Sequence, residues 1–224
     1  MAAATIKNRL SHLRWWAGKI GKQNVVARTN SELGIENRVY VSSQSKAKTI
    51  SSGDLTKVKD EYIRMSLELQ KAFGLRREEA LKFQPKFAMS SGSDIIQLKA
   101  SWCKGGRARE VPIVNEYQKD VLARAARLAG NGSLIPNGKL YVDQLKKYEN
   151  ATARAGMSRL HGLRHEYAQA RFSELAGFEC PHKGGPNSRE LSAEQKEINF
   201  EVRAKISAEL GHNRESITAI YLGR

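Results

Sequence analysis

The sequence is poor in the features that mark secreted or membrane-spanning proteins. It has only two cysteines, Cys103 and Cys180, and no apolar N-terminal run that resembles a signal peptide or a spanning helix. Two cysteines are too few for a scaffold held together by several disulfides, and a membrane span requires a long apolar run. These absences predict a protein of the reducing cytoplasm with no membrane role.

Acidic residues are also scarce, since 23 Asp and Glu stand against 38 Lys and Arg. The formal net charge of +15 favours a polyanionic partner, nucleic acid first of all, and an encounter that weakens as salt rises. The basic residues are spread along the chain and are not gathered on one amphipathic helix, which argues against binding to a membrane surface.

Patterns of metal ligands are missing as well. Paired carboxylates of the kind that hold Mg²⁺ in nucleases are not evident, which disfavours a two-metal nuclease. Cys180 and His182 offer two ligands where a structural zinc site needs four. The sequence therefore predicts chemistry that uses no metal and no other cofactor.

The chain does contain helical periodicity, and its hydrophobic content of 40% is enough to bury a core. Thr5 is a candidate N-cap for an amphipathic helix that continues through Trp16. The basic face of this helix is expected to contact DNA through Lys7, Arg9 and Arg14, and a surface helix with solvated charges is the alternative. The polar stretch 18–53 is interpreted as a linker, so the main domain should begin near Asp54.

Two helices are predicted at the start of that main domain. A 3.6-residue apolar period runs from Val58 to Phe73, and Gly74 follows where a helix C-terminal glycine is expected. A shorter helix is predicted over 75–83, ended by Pro85.

A hairpin is predicted next. Apolar alternation from Ile96 to Trp102 and a second run at Val111–Ile113 are typical of two strands, with Lys104 at the tip between them. Together with the helices, this pattern predicts an α+β fold that is predominantly α-helical and carries a small antiparallel β-sheet.

The second half of the chain is predicted to be mostly helical. The signals, in chain order, are Asn115 as a cap, the spacing over 141–153, the run His161–Ala176, and a Ser192–Gln195 capping box on a helix that Gly211 ends. His161 and Arg164 fall in one first helical turn, where cations oppose the helix dipole. That arrangement is more favourable when an anion such as a phosphate docks on the free backbone N–H groups.

Several ordered motifs resemble the catalytic domain of the tyrosine recombinase family, also called the phage integrase family. Gly-Leu-Arg-Arg-Glu-Glu at 74–79 resembles the family's Gly-Leu-Arg-x-x-Glu box, and His-Gly-Leu-Arg at 161–164 resembles its His-x-x-Arg box. Leu-Gly-His at 210–212 resembles a third box, Lys104 resembles the hairpin lysine, and Tyr221 stands at the nucleophile's usual spacing. Each motif is weak by itself, and their shared order over residues 54–224 carries the resemblance.

The resemblance implies a role for each matched residue. The implied catalytic residues are Arg76, Lys104, His161, Arg164, His212 and Tyr221, with Glu79 as the supporting acid that orients the first arginine. Further expected DNA contacts are Arg107, Arg109 and His165.

These residue types suit the displacement of a phosphodiester without a metal. The reaction needs an attacking oxygen, a proton donor for the leaving 5′ oxygen, and positive charge around the phosphate oxygens. A phenol ionises far more readily than an alcohol, and a guanidinium donates two parallel hydrogen bonds to phosphate. A phosphotyrosine ester keeps the bond energy, so strands can be rejoined without ATP.

The implied function is that of a site-specific DNA recombinase, or integrase, that works through a covalent 3′-phosphotyrosyl intermediate in the integration or excision of a mobile element. Residues 1–53 would be a fragment of a helical core-binding, DNA-binding domain with its linker, and 54–224 would be the catalytic domain. The implied partners are double-stranded DNA attachment sites, further copies in a tetrameric synapse, and accessory DNA-bending proteins. The implied setting is bacterial or phage-encoded, in the cytoplasm at the nucleoid.

The alternatives come from the same residues. Tyr221 alone fits core packing, His161 and His212 alone fit helix caps, and Arg77 competes with Arg76 for the first catalytic arginine. A type IB topoisomerase would share the chemistry, and a DNA-binding regulator would share the fold without it. The interval between the second and third boxes is longer than the family's usual one, so the Cys180–Glu194 region is interpreted as an insertion.

Overall fold

The chain divides into two compact units, Met1–Ser42 and Ser43–Arg224. A computed structural model describes residues 1–37, 39–90, 92, 94–212 and 214–224. The functional boundary between 53 and 54 stays a prediction.

The structure is predominantly α-helical with one two-stranded antiparallel sheet, which confirms the predicted fold class. In chain order the helices are α1 (Ala3–Lys19), α2 (Ser52–Lys57), α3 (Glu61–Phe73), α4 (Arg77–Leu81), α5 (Pro85–Ala88), α6 (Glu116–Ala129), α7 (Tyr141–Arg154), α8 (Gly162–Ala176), α9 (Ala193–Glu209) and α10 (Ala219–Leu222). The strands are β1 (Ile95–Leu98) and β2 (Arg109–Pro112). Among the described residues, none of the helices combines the length and the apolar composition that a bilayer span needs.

The predicted helix ends were confirmed where a side chain or a glycine specifies them. The Asn115 side chain accepts from the Gln118 N–H at the start of α6, and the Ser192 side chain accepts from the Gln195 N–H at the start of α9. Gly74 ends α3 in the left-handed conformation, with φ of 59°. Capping chemistry was therefore a reliable guide to these boundaries.

Three local predictions were wrong. The helix α1 begins earlier than expected, so Thr5 lies inside it and Ala2 is the N-cap. The short helix predicted over 75–83 covers only Arg77–Leu81, and Pro85 begins α5 because proline is tolerated in the first turn of a helix. Trp102 leaves the strand in a 3₁₀ turn, where its ring packs against Phe83 and Phe87 at centroid distances of 6.1 and 5.7 Å.

The register of the hairpin determines which side chains face the core. Ile96 pairs with Val111, and Leu98 pairs with Arg109. Directly opposed residues in an antiparallel pair share one face, and three of these four are fully buried apolar residues. The fourth, Arg109, therefore projects into the interior from the same face.

The main apolar cluster places α8, α9 and α10 around the candidate site. Phe73 from α3, Phe172 from α8 and Leu210 from the end of α9 belong to it, and so does Tyr221. The tyrosine ring is thus part of the core, while its hydroxyl reaches polar neighbours.

The second unit begins with a connector, residues 43–51, that crosses the first turn of α8. The Lys48 N–H donates to the Gly162 carbonyl at 3.0 Å, and Ile50 is buried in a second apolar cluster. A Cβ on Gly162 would lie 2.6 Å from the Lys46 carbonyl oxygen, so the approach requires glycine. The connector and α8 are in contact at the level of the backbone.

We expect Gly74→Ala to lower the free energy of unfolding by about 2–4 kcal/mol, because the left-handed backbone strains a Cβ and the site is crowded. The added Cβ would lie 2.5 Å from Cδ1 of Tyr167. Gly177→Ala is the matched control, since Gly177 is also a left-handed helix C-cap but an added Cβ there would have nothing within 4 Å. It should cost only about 1–2 kcal/mol in urea denaturation, and equal losses for the two variants would contradict the crowding at Gly74.

Candidate active site

The side chain of Arg164 is buried between the carboxyl ends of two helices. It is 1% exposed, and its Nη1 donates to the carbonyl of Gly74, which caps α3, at 2.6 Å. Its Nη2 donates to the carbonyl of Leu210, which caps α9. Helix carboxyl ends carry partial negative charge and unpaired carbonyls, so both ends stabilise the cation.

Burial, with smaller contributions from the charges of Arg76 and Arg109, lowers the pKa of Arg164 to about 10, and the charges of Tyr221 and Glu79 oppose this shift. That value is still far above neutral pH. The guanidinium therefore stays charged in the interior. Its Nε faces the hydroxyl of Tyr221.

Arg76 lies next to Arg164 and shares one of its acceptors. Its Nη2 donates to the Leu210 carbonyl at 3.3 Å, and its Nη1 donates to Glu79 at 2.8 Å. The Glu79 carboxylate also accepts from the backbone N–H of Arg76 at 2.6 Å, across the first turn of α4. Arg77 instead forms an exposed ion pair with Glu149, so the structure brings Arg76 and not Arg77 to the site.

Glu79 is fully buried and binds two arginines. Arg109 donates to its two carboxylate oxygens from Nη1 and Nη2, each at 2.7 Å. Although burial opposes ionisation, hydrogen bonds and charge from Arg109, with the charge of Arg164 and the Arg76 N–H, lower the pKa of Glu79 to about 2. The cluster of Arg76, Arg109, Arg164 and Glu79, which we call the arginine cluster, thus carries a net positive charge.

The hydroxyl of Tyr221 lies at the edge of the arginine cluster. The residue is 5% exposed, and its oxygen is 3.5 Å from Arg164 Nε and 3.2 Å from His212 Nε2. Burial, with the charges of Arg164, Arg76 and Arg109, lowers the pKa of His212 to about 4. At neutral pH His212 is therefore a neutral imidazole within hydrogen-bonding distance of the phenol.

Two further histidines surround the phenol ring. The ring centroids of His161 and His165 lie 6.3 and 4.7 Å from that of Tyr221. Burial and the nearby arginines lower the pKa of His161, and burial, followed by the charges of His161 and Lys46, lowers that of His165 to about 4. His161 occupies the N-cap position of α8 but makes no side-chain capping bond, so capping does not account for it.

Lys104 is the one predicted catalytic residue that the structure does not bring to the phenol. It is exposed in the connection between β1 and β2, and its ammonium makes no hydrogen bond or ion pair with the residues that the structure describes. The other five predicted catalytic residues, Arg76, His161, Arg164, His212 and Tyr221, lie together.

Of the six residues expected to bind DNA, three are accessible at the surface and three are engaged or buried within the protein. Lys7 is half-buried on α1, and Arg9 and Arg107 are exposed. Arg14 instead holds its own unit together, since it donates to the Ala27 carbonyl at 2.7 Å and to the Asn30 side chain at 3.0 Å. Only Lys7, Arg9 and Arg107 of these four offer a cation to a partner surface.

The side chain of Arg109 is 5% exposed and is engaged by Glu79, and His165 is buried, so neither is a free surface contact. Arg109 binds Glu79 and also donates from Nε to the Glu209 carbonyl at 2.8 Å, so it acts within the arginine cluster. The hairpin alternation is the sequence signal that could have found this, because Arg109 falls on the face of Val111. His165 packs on Tyr221, and its Nδ1 has no partner among the described residues.

An open cleft of about 830 Å³ adjoins the site between the hairpin and the end of α9. Its lining includes Lys99, Arg107, Arg109 and His212. The cleft therefore connects basic side chains of the hairpin with the histidine beside the phenol.

Comparisons with known proteins bear on the family and the fold of the chain. The sequence profile of the integrase family matches residues 40–170, more than half of the chain. No curated protein is significantly similar in sequence.

Solved structures with a similar fold include two of lambda integrase. A lambda integrase dimer bound to a COC′ core site has 15% identity and a TM-score of 0.57, over 98% of this chain and 59% of that chain. A lambda integrase(75-356) dimer bound to a COC′ core site has 16% identity and a TM-score of 0.52, over 96% and 74% of the two chains. At these identities the likeness shows the fold alone, which is that of the tyrosine recombinases, and the chain spans less than two thirds of the first relative.

We expect Glu79→Gln to cost stability at neutral pH and progressively less at acid pH. The ordinary pKa of 4.5 is lowered to about 2 in the fold, so ionised Glu79 stabilises the protein above pH 4.5 and this contribution disappears as pH falls through 2. The gap in free energy of unfolding between wild type and variant should shrink by about 2–3 kcal/mol from pH 7 to pH 2.5. Urea denaturation at stepped pH measures it.

Glu110→Gln, an exposed carboxylate next to Arg109 on β2, is the control and should change little at any pH. If the difference in free energy of unfolding between wild type and Glu79→Gln stayed constant from pH 7 to pH 2.5, the result would contradict the ion pairing of Glu79.

Proposed function

The chain belongs to the integrase family, and on that premise we propose that it is a site-specific DNA recombinase that cuts and rejoins strands through a 3′-phosphotyrosyl ester on Tyr221. The observation that carries the proposal is the arginine cluster, in which two guanidinium groups bind one carboxylate and the third, that of Arg164, lies with its Nε 3.5 Å from the hydroxyl of the buried Tyr221. Such a net positive site in a poorly hydrated interior favours an anion, and the scissile phosphate is the anion that the phenol would attack.

The roles follow from the contacts. Arg76 and Arg164 would donate to the nonbridging phosphate oxygens, and both are already held by the same Leu210 carbonyl. Arg109 would keep Glu79 ionised, so that Glu79 orients Arg76. A guanidinium held by its neighbours loses little entropy when it binds the transition state, which is where such donors contribute most.

The cleavage step would move two protons. As the Tyr221 oxygen forms its bond to phosphorus, the phenol proton would pass to Nε2 of His212, which is neutral and 3.2 Å away. The bond from phosphorus to the 5′ oxygen would break, and Lys104 would supply the proton to that oxygen. A 5′ hydroxyl of another strand would then attack the ester and reverse every transfer.

Lys104 would reach the leaving oxygen from the hairpin turn when DNA occupies the basic cleft. Its position in a connection that contains Gly105 and Gly106, both with positive φ, is consistent with a segment that adjusts to a bound strand. Lys7, Arg9 and Arg107 would bind backbone phosphates, which set position and contribute affinity that falls with salt.

The biological role is proposed on the same basis. We propose that residues 1–53 contribute to DNA binding and that 54–224 form the catalytic domain, which would act on attachment sites of a mobile element. The lambda integrase structures are dimers on core-site DNA. By analogy, several copies of this chain would assemble on paired sites to exchange strands.

The test is covalent capture on a nicked duplex made from the DNA that flanks the gene. Wild type should form a gel-shifted protein adduct, and Tyr221→Phe should abolish the adduct while retaining DNA binding, because only the nucleophilic oxygen is removed. Tyr117→Phe, a tyrosine on α6, is the matched control. Tight binding without an adduct in wild type would favour a regulator, and relaxation of supercoils without strand exchange would favour a topoisomerase.

Lys104→Ala should slow adduct formation by about 10²–10⁴-fold, the range for loss of a general acid. Because Lys104 is exposed, the free energy of unfolding should change by less than about 0.5 kcal/mol. Lys139→Ala, another exposed lysine, is the control for loss of charge. A nicked substrate with a 5′-thio leaving group, which needs no protonation, should restore the Lys104→Ala rate, and failure of this rescue would contradict the role.

A further inference from the structure

The backbone carbonyl of Tyr221 accepts two hydrogen bonds from outside its own helix. Gln169 Nε2 on α8 donates at 2.8 Å, and His182 Nδ1 lies at 2.8 Å from the same oxygen. A carbonyl can only accept, so His182 must carry its proton on Nδ1. The two donors together occupy both lone pairs of this carbonyl.

The helix that carries the tyrosine cannot hold this position by itself. It spans only Ala219–Leu222, and the last carbonyls of any helix lack partners within it. The side chain of Arg203 adds a further external bond, from Nη2 to the Gly223 carbonyl at 3.0 Å. The position of the phenol therefore depends on side chains from the body of the unit.

His182 is presented on a tight turn within the segment interpreted from the sequence as an insertion. The backbone N–H groups of Lys183 and Gly185 both donate to the Cys180 carbonyl, at 2.8 and 3.0 Å. A Cβ on Gly185 would lie 1.7 Å from the Glu179 carbonyl oxygen, so only glycine closes this turn. The buried Cys180 anchors it to the main apolar cluster.

The turn Cys180–Gly185 is in direct contact with residues 214–224, which we call the tail. Gly223 has φ of +83°, and a Cβ on it would lie 2.9 Å from Cδ2 of His182 and 3.0 Å from Cβ of Pro181. Glycine at this position lets the tail approach the imidazole closely enough for the hydrogen bond to Tyr221.

We propose that His182 is a positioning residue for the nucleophile, and that the turn Cys180–Gly185 holds the Tyr221 segment against the active site of its own chain. The hydrogen bonds from His182 and Gln169 to the Tyr221 carbonyl fix the backbone of this residue. They thereby help to place its hydroxyl beside His212 and Arg164. The catalytic part of this inference rests on the proposed function.

A purely structural helix cap would give the same contacts. The experiment must therefore distinguish an effect on the position of Tyr221 from an effect on the stability of the whole unit. In His182→Ala the donor is lost, and in His182→Asn the side-chain amide can replace Nδ1 as a donor. Glu190→Ala is the matched control, because Glu190 is an exposed residue of the same segment whose carboxylate accepts from the Asn187 N–H.

The first measurement is hydrogen exchange of the amides in 214–224 on the free protein, which needs no DNA. His182→Ala should speed exchange of the Ile217 and Gly223 amides at least tenfold, without changing exchange in α8 and α9. His182→Asn and Glu190→Ala should match wild type. Unchanged exchange of the tail in His182→Ala would overturn the proposal, and so would faster exchange throughout the unit.

The second measurement is the rate of adduct formation on the nicked duplex, at saturating and at limiting DNA. His182→Ala should lower the saturated rate about 10- to 100-fold with little change in half-saturating DNA, since a shift of about 1 Å in a reacting group can cost that much. His182→Asn should restore most of it. Wild-type rate in His182→Ala would overturn the positioning role, whereas absence of an adduct in wild type would refute the recombinase proposal and leave the exchange result to decide the contact.

Discussion

The candidate site depends on one buried cation held between two helix ends. Arg164 joins the carboxyl end of α3 at Gly74 to that of α9 at Leu210, and these helices are far apart in sequence. Without the guanidinium, the buried Gly74 carbonyl would lose its donor and the Leu210 carbonyl would keep only the longer bond from Arg76, and leaving buried polar groups unpaired is costly. The residue that orders the phenol is therefore also one that joins the helices, so folding and site assembly share the same interaction.

The charges around this cation are uneven, and they add to burial in setting the state of the histidines. Burial is the largest cause that lowers the pKa of His161, His165 and His212, and the positive charge that Glu79 leaves unneutralised in the arginine cluster lowers it further at His161 and His212. A neutral imidazole can accept a proton from a phenol, whereas an imidazolium cannot. In the proposed reaction the cluster would bind the anion, and the neutral His212 would accept the proton.

Local structure was predictable from the sequence where one residue type determines it. Gly74, Asn115 and the Ser192 capping box each specify a helix end, and the structure has these ends. The grouping of Arg76, Arg164, His212 and Tyr221 was expected from ordered motifs, although their catalytic roles stay predictions. The strand through Trp102 was mispredicted because aromatic packing on Phe83 and Phe87 outweighed alternation.

The features that were missed depend on contacts distant in sequence. Arg109 was taken for a surface cation because charge alone gives no burial, yet strand register placed it against Glu79. Nothing local to Pro181–Lys183 indicates that its imidazole meets the tail, since that contact spans 39 positions. Such long-range partners become visible only when the chain is folded.

The helix α8 has a consequence for how the chain could transmit motion. Its first turn touches the incoming connector at Gly162, and Gln169 further along binds both Ser45 of that connector and the Tyr221 carbonyl. One amide side chain therefore bridges the connector and the segment that carries Tyr221. Displacing either segment would strain or break its hydrogen bond to Gln169. A movement of the connector would therefore reach the backbone of Tyr221 through a single side chain.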